Sequence, residues 1–127
     1  MSDKCKFDVI GLMSGTSLDG VDIAYCSFTK TSDKWHYQIH CAETLPYSSE
    51  WKNVFSNLEN ETALVFQQIH VEYGFYLGDL VKIFVQKHGI SPDFVASHGH
   101  TIFHANFDTH VYKKHNGENY NKRLTVQ

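Results

Sequence analysis

Only two prolines, Pro46 and Pro92, occur in the 127 residues, and no low-complexity segment or internal repeat divides the chain. A single domain is the expectation, because this length supports one genuine core and not two. No apolar run approaches the roughly 20 residues that cross a bilayer, and no apolar stretch of the secretory kind follows Met1-Ser2-Asp3-Lys4-Cys5-Lys6. Neither a membrane partner nor a secretory signal is expected. Cysteine is limited to Cys5, Cys26 and Cys41, an odd number with no metal-binding pair among them, which fits a reducing cytoplasm. Basic charge is not concentrated either: 11 Lys and Arg stand against 14 Asp and Glu, a formal net charge of −3. The densest basic stretch, Lys113, Lys114, His115, Lys122 and Arg123, is diluted by Glu118 and several asparagines. It reads as a solvated loop rather than a nucleic-acid face. Two nucleotide fingerprints are missing as well, since neither Gly-x-x-x-x-Gly-Lys-Ser/Thr nor Gly-x-Gly-x-x-Gly occurs.

What is present is a hydroxyl-rich turn between two apolar runs. Phe7 to Met13 carries Val9, Ile10, Leu12 and Met13; Val21 to Phe28 carries Ile23, Ala24, Tyr25 and Cys26. Both suit buried strands. Between them lie Ser14, Gly15, Thr16, Ser17, Leu18, Asp19 and Gly20, with Val21 and Asp22 following. Glycine lets the backbone approach a ligand closely, and a cluster of main-chain N–H groups and hydroxyls makes a concavity for anionic oxygens without a lysine. Asp19 and Asp22 are candidate magnesium ligands, directly or through water. The plain alternative is a hairpin turn, for which Gly, Ser and Asp are the common residues.

The whole run, Gly-Leu-Met-Ser-Gly-Thr-Ser-Leu-Asp-Gly-Val-Asp from Gly11 to Asp22, closely resembles the N-terminal phosphate-loop signature of anhydro-N-acetylmuramic acid kinases, which belong to the actin-like and sugar-kinase superfamily. The resemblance implies an α/β fold: an incomplete actin-like ATPase lobe of ribonuclease H-like type, its mixed sheet opening with a three-strand antiparallel meander and continuing through a long crossover helix. Two lobes close over the nucleotide in such kinases, so the chain is expected to be one partial domain, residues 1–127, of a protein about three times longer. Leu124 to Gln127 then reads as the start of a strand. One departure stands in the loop: the wider superfamily commonly has an aspartate about four residues before the threonine, where this chain has Leu12.

Along the chain, Thr29 to Lys34 reads as a polar turn, and Trp35 to Leu45 as a third antiparallel strand with Tyr37, Ile39 and Cys41 on one face. Pro46 stops the sheet. A short helix is expected from Ser48 or Ser49, with Val54, Phe55 and Leu58 inward. Asn60 and Glu61 restart the chain into a long amphipathic helix reaching Lys87, about 40 Å at ~1.5 Å per residue, on which Phe66, Ile69, Tyr73, Tyr76, Leu77, Leu80 and Phe84 recur every three or four positions. Gly74 and Gly78 sit inside it, at a spacing that suits close packing against the sheet; the plainer reading gives neither a function. Gly89 ends the helix, with Lys87 and His88 favourable to its dipole. Phe94, Val95 and Ala96 then form a short buried strand ending at Ser97, parallel to its partner.

That strand leads into Ser97-His98-Gly99-His100-Thr101-Ile102-Phe103-His104, at the strand end where α/β proteins gather ligand groups. The segment resembles the family's His-Gly-Gln-Thr, with His100 in place of glutamine and Ala105-Asn106 where a proline is usual. Glutamine and histidine both donate and accept hydrogen bonds; titration near neutral pH is new. One competing reading takes His98, His100 and His104, with His110 or Asp108, as a zinc site of a hydrolase fragment. Thr101-Ile102-Phe103 stands where the Asp-His of a His-x-His-x-Asp-His motif would fall. The bland reading is histidines bonded within a loop, and a noncatalytic actin-like binding module is a further alternative.

The resemblance implies ATP-dependent phosphorylation of 1,6-anhydro-N-acetylmuramic acid on its 6-oxygen, with water opening the anhydro bridge, a step of peptidoglycan recycling and amino sugar metabolism. Gly15, Thr16, Ser17, Leu18, Asp19, Gly20, Val21 and Asp22 would bind ATP. Ser14, His98, Gly99, His100 and Thr101 would border the amino sugar. Mg²⁺ would accompany the nucleotide, and the parent protein would be a homodimer. The general-base aspartate is expected beyond Gln127, so the 127-residue chain is expected not to turn over alone.

Overall fold

The computed structural model describes residues 5–15, 17–105 and 124–126. Three strands open the fold, β1 (Lys6–Ser14), β2 (Gly20–Thr31) and β3 (Lys34–Pro46). Each pairs antiparallel with the next: Ile10 lies opposite Tyr25, and Ala24 opposite Ala42. The turn between β2 and β3 is tighter than the polar stretch Thr29 to Lys34 suggests. Thr31 already pairs with Lys34, and Ser32 takes a left-handed φ of 52° to close the two-residue connection.

Helix α1 (Ser49–Asn57) follows, started by the Ser48 hydroxyl, which accepts the Trp51 N–H. A 3₁₀ turn, Leu58–Asn60, leads to α2 (Ala63–His88), which Thr62 caps in the same way by accepting from Val65 N–H. The helix stops where expected. Gly89 adopts φ 61°, and its N–H bonds the Val85 carbonyl. Strand β4 (Phe94–His100) then returns parallel to β1, giving the sheet order β3-β2-β1-β4. A separate two-stranded pair joins β5 (Phe103–Ala105) to β6 (Leu124–Val126), so the strand expected near Leu124 is present.

Alternation along the strands sends Ile10, Leu12, Val21 and Ile23 to one face, where they pack with Phe55, Leu58, Tyr73 and Phe84. All seven residues of the sequence-predicted helical stripe join this core or pack against it. The other face carries Phe7, whose ring meets those of Trp35 and Phe94, and these two stand about half exposed.

Three expectations are corrected. Cys41 does not share a face with Tyr37 and Ile39: the pairing of β2 with β3 skips His40, a β-bulge, and this flips the alternation. Tyr37 and Ile39 stand exposed while Cys41 packs on the core. Strand β4 is not buried. It is the edge of the described sheet, with Phe94 50% and Val95 44% exposed, and it continues past Ser97 through the histidine segment. Gly74 and Gly78 do not serve close packing, since a Cβ at either position would meet nothing within 4 Å.

Candidate functional site

The β1–β2 turn is held by its own residues. Asp19 Oδ1 accepts from Ser17 Oγ at 2.5 Å and from Gly20 N–H at 3.0 Å. The hydroxyl, followed by backbone N–H groups, holds the Asp19 carboxyl below its ordinary range, so it is ionised at neutral pH. Leu18 takes φ 56°, a left-handed conformation that costs a non-glycine residue roughly 1–2 kcal/mol. Its side chain packs against the core and offsets that cost. A left-handed residue within such a turn helps successive N–H groups converge on an anion. The Asp19 carbonyl also accepts the Tyr47 N–H at 3.2 Å, tying the turn to the end of β3.

Gly20 has a second role that its place in the loop conceals. A Cβ there would lie 2.3 Å from the Leu45 carbonyl oxygen and 2.9 Å from Pro46 Cα, distances no side chain can occupy. Only glycine lets β3 pair this close to the turn.

Ser14, at the end of β1, is 2% exposed and points toward the helices. Its Oγ donates to the Gly99 carbonyl at 2.8 Å and accepts from the Tyr73 hydroxyl at 2.8 Å. Tyr73 in turn meets the Tyr47 hydroxyl at 2.7 Å. Each hydroxyl carries one proton, so the direction is fixed: Tyr47 donates to Tyr73, Tyr73 to Ser14, and Ser14 to Gly99. Burial pushes the Tyr47 phenol far above its ordinary range, which keeps the relay protonated. The chain of bonds joins the first loop to the histidine segment across 85 residues of sequence.

Within that segment Gly99 turns at φ 77°, and β4 shifts its register on β1 between Leu12 and Ser14. The kink separates the two histidines. His98 is exposed, its Nδ1 3.3 Å from the Gly99 carbonyl oxygen. His100 is 8% exposed and stacks on Phe55, ring centroids 4.0 Å apart and planes 17° from parallel. Burial lowers its pKa, which keeps it neutral, and its Nδ1 has no hydrogen-bond partner among the described residues. Thr101 is buried beside it.

The structure therefore unites Ser14, Gly99 and His100 around one aromatic cluster, with Gly15, Ser17, Leu18 and Asp19 in the adjoining turn. It does not bring Asp22 to them. Asp22 pairs with Met13 on the opposite sheet face from Ser14, and its carboxylate accepts from Thr44 Oγ1 at 2.5 Å. Thr16 lies outside the described residues. Among the described residues no three His, Cys, Asp or Glu side chains gather as a metal group; Asp108, His110 and the side chain of His104 lie outside them. Asp19 and Asp22 are hard oxygen donors of the type magnesium takes. Sequence reasoning placed Tyr73 and Phe55 in the core but missed their part in the site. The available signal was a phenol hydroxyl on an otherwise apolar helical stripe, which requires a buried partner.

A mixed sheet with a leading meander, a crossover helix and a hydroxyl-rich turn between β1 and β2 defines an incomplete actin-like sugar-kinase lobe. A family model described as anhydro-N-acetylmuramic acid kinase matches residues 7–119, and the chain belongs to that family. It is similar to the anhydro-N-acetylmuramic acid kinase of Pseudoalteromonas translucida, 36% identical over 119 residues, covering 85% of this chain and 28% of the relative. The enzymes of that name from Pasteurella multocida and Caldanaerobacter subterraneus are 32% and 34% identical, each covering 76% of this chain and 26% of its relative. The chain thus spans about a quarter of the length of the curated relatives it matches. No helix among the described residues is long and apolar enough to cross a membrane.

Proposed function

We propose that this chain is the first phosphate-binding part of a carbohydrate kinase that transfers the γ-phosphoryl group of ATP to 1,6-anhydro-N-acetylmuramic acid. The observation that carries the reading is the 2.8 Å bond from Ser14 Oγ to the Gly99 carbonyl, which sets the phosphate turn against the segment assigned to the sugar. Phosphoryl transfer needs positioning and charge neutralisation more than covalent help from the protein. Main-chain N–H groups around Gly15 and the Ser17 hydroxyl would cradle phosphate oxygens, and ionised Asp19 keeps the turn in shape. Thr16 would add a second hydroxyl. Asp19 would hold magnesium, which neutralises charge on the nucleotide phosphates; Asp22, on the opposite sheet face and bonded to Thr44, would take no direct part. His98, Gly99, His100 and Thr101 would border the sugar.

In the reaction the 6-oxygen takes the phosphoryl group, water adds at the anomeric carbon, and the bridge between that carbon and the 6-oxygen breaks. The product is N-acetylmuramic acid 6-phosphate. The water's proton goes to a general-base aspartate expected beyond Gln127. A cytoplasmic setting, a homodimeric parent and inactivity of residues 1–127 alone belong to the same proposal.

The test is a coupled kinase assay with ATP and the anhydro sugar, run on the polypeptide of the complete reading frame and on residues 1–127. Sugar-dependent ADP release by the former alone is expected. Turnover by residues 1–127 overturns the division of labour. A complete reading frame that binds but never phosphorylates turns the reading to a noncatalytic module.

A further inference from the structure

Beneath His100 lies a cavity of about 300 Å³ between α2 and the end of β4. Its walls include Phe55, Phe66, Ile69 and Leu77, and the polar groups of β4 stand at one end. Three observations point to an occupant. The buried His100 Nδ1 lacks a partner among the described residues, a deficit that ordinarily costs about 1–3 kcal/mol. The ring cannot turn away freely, because it is stacked on Phe55. Gly74 lines the cavity from mid-helix, where glycine costs about 1 kcal/mol relative to alanine. Packing does not demand it, since a Cβ would meet nothing within 4 Å. What glycine preserves there is space.

The shape and chemistry limit the occupant. At about 300 Å³ the cavity lies at the small end of the roughly 300 to 1,000 Å³ that ligand cavities span, so it takes a small group. A pyranose ring would leave hydroxyls unpaired on walls that are mostly apolar. An acylamino group has the matching parts: a small apolar end and one amide. A neutral imidazole can accept the amide N–H or donate to the amide oxygen, according to tautomer.

We propose that this cavity is a specificity subsite for the acylamino substituent of an amino sugar, with the acyl methyl among Phe66, Ile69 and Leu77 and the amide bonded to His100 Nδ1. This deepens the kinase reading and rests on it. Burial keeps His100 neutral, as the bond requires.

The experiment compares kcat/KM for the N-acetylated anhydro sugar and its de-N-acetylated counterpart, in the polypeptide of the complete reading frame. A preference of roughly 30-fold or more for the acetylated sugar is expected, within the range one buried polar or methyl contact gives. Gly74→Leu adds a side chain at the cavity wall, where a Cβ meets nothing within 4 Å, and raises helix propensity; it should reduce the preference to about 3-fold or less in a variant whose unfolding midpoint is retained. Gly78→Leu, one turn further and outside the cavity lining, should leave the ratio intact. Equal handling of the two sugars, or a preference that survives Gly74→Leu, overturns the subsite and leaves the kinase reading standing. Phosphorylation of neither sugar overturns both.

Discussion

The two halves of the candidate site are built by opposite means. The β1–β2 turn is exposed and is shaped by neighbours in sequence, Ser17, Asp19 and Gly20 bonding one another over one or two residues. The histidine segment is shaped from far away, by Phe55 under His100 and by Ser14 and Tyr73 around Gly99. A local turn can be read from its residues. A surface moulded by α1 and α2 cannot, and its chemistry follows the core.

This difference sets the size of each perturbation. Phe55→Ala should be the most damaging, because Phe55 contacts His100, Tyr47, Trp51 and Tyr73 at once. Truncating a buried Phe costs about 3–5 kcal/mol. Denaturant unfolding should show that loss. Amide exchange should rise first at residues 97–101, while exchange in the exposed β1–β2 turn stays at its wild-type rate. Equal loosening of both regions would mean that they are not separately built.

Gly20→Ala attacks the other half. The added methyl has no room beside the Leu45 carbonyl, so the start of β2 must shift from β3. Overpacking of this kind costs about 1–3 kcal/mol. Backbone chemical shifts should move most at residues 17–20 and 45–47 and much less at Phe55 and His100, which meet the turn through Tyr47. Shifts as large at His100 as at the turn would show that the two regions respond as one.

Legibility follows the same division. Strands β1 to β3, α1, α2 and the Gly89 cap were readable, and the start of α1 to within one residue, because period, run length and capping residues are local signals. The bulge at His40 was not, because nothing in Gln38-Ile39-His40-Cys41 marks which residue the ladder skips. Apolar Phe94-Val95-Ala96 suggested burial, yet composition does not tell an edge strand from a central one. The hydroxyl-rich β1–β2 turn was legible as a motif of the family. Stacking of His100 on Phe55 was not, since that pair lies 45 positions apart and on different elements.

Tyr73→Phe tests the seam between the two regions. It removes one hydroxyl, leaving Ser14 without a donor and Tyr47 without its acceptor, at a cost of about 1–2 kcal/mol. Stability should fall modestly. The diagnostic result is in the full reading frame, where kcat should drop more than KM rises if the relay aligns the β1–β2 turn with the histidine segment as proposed. A uniform rise in KM alone would make Tyr73 a packing residue.

The smallest effect comes from His100 itself, and pH exposes it. Burial lowers its folded-state pKa below the ordinary value of 6.5. The unfolded chain therefore takes up a proton first as pH falls. The contribution of neutral His100 is complete above about pH 6.5 and declines as pH drops through that value toward the folded pKa. Asp8, Asp19 and Glu43 are shifted below their ordinary values, so the stability they lend is lost only at more acidic pH. The window from pH 6.5 to 5 thus isolates histidine. His100→Gln should flatten the dependence of the unfolding midpoint on pH across that window. An unchanged slope in His100→Gln would mean that the ring is solvated in the folded chain, and the stack on Phe55 would then be too loose to shape the histidine segment.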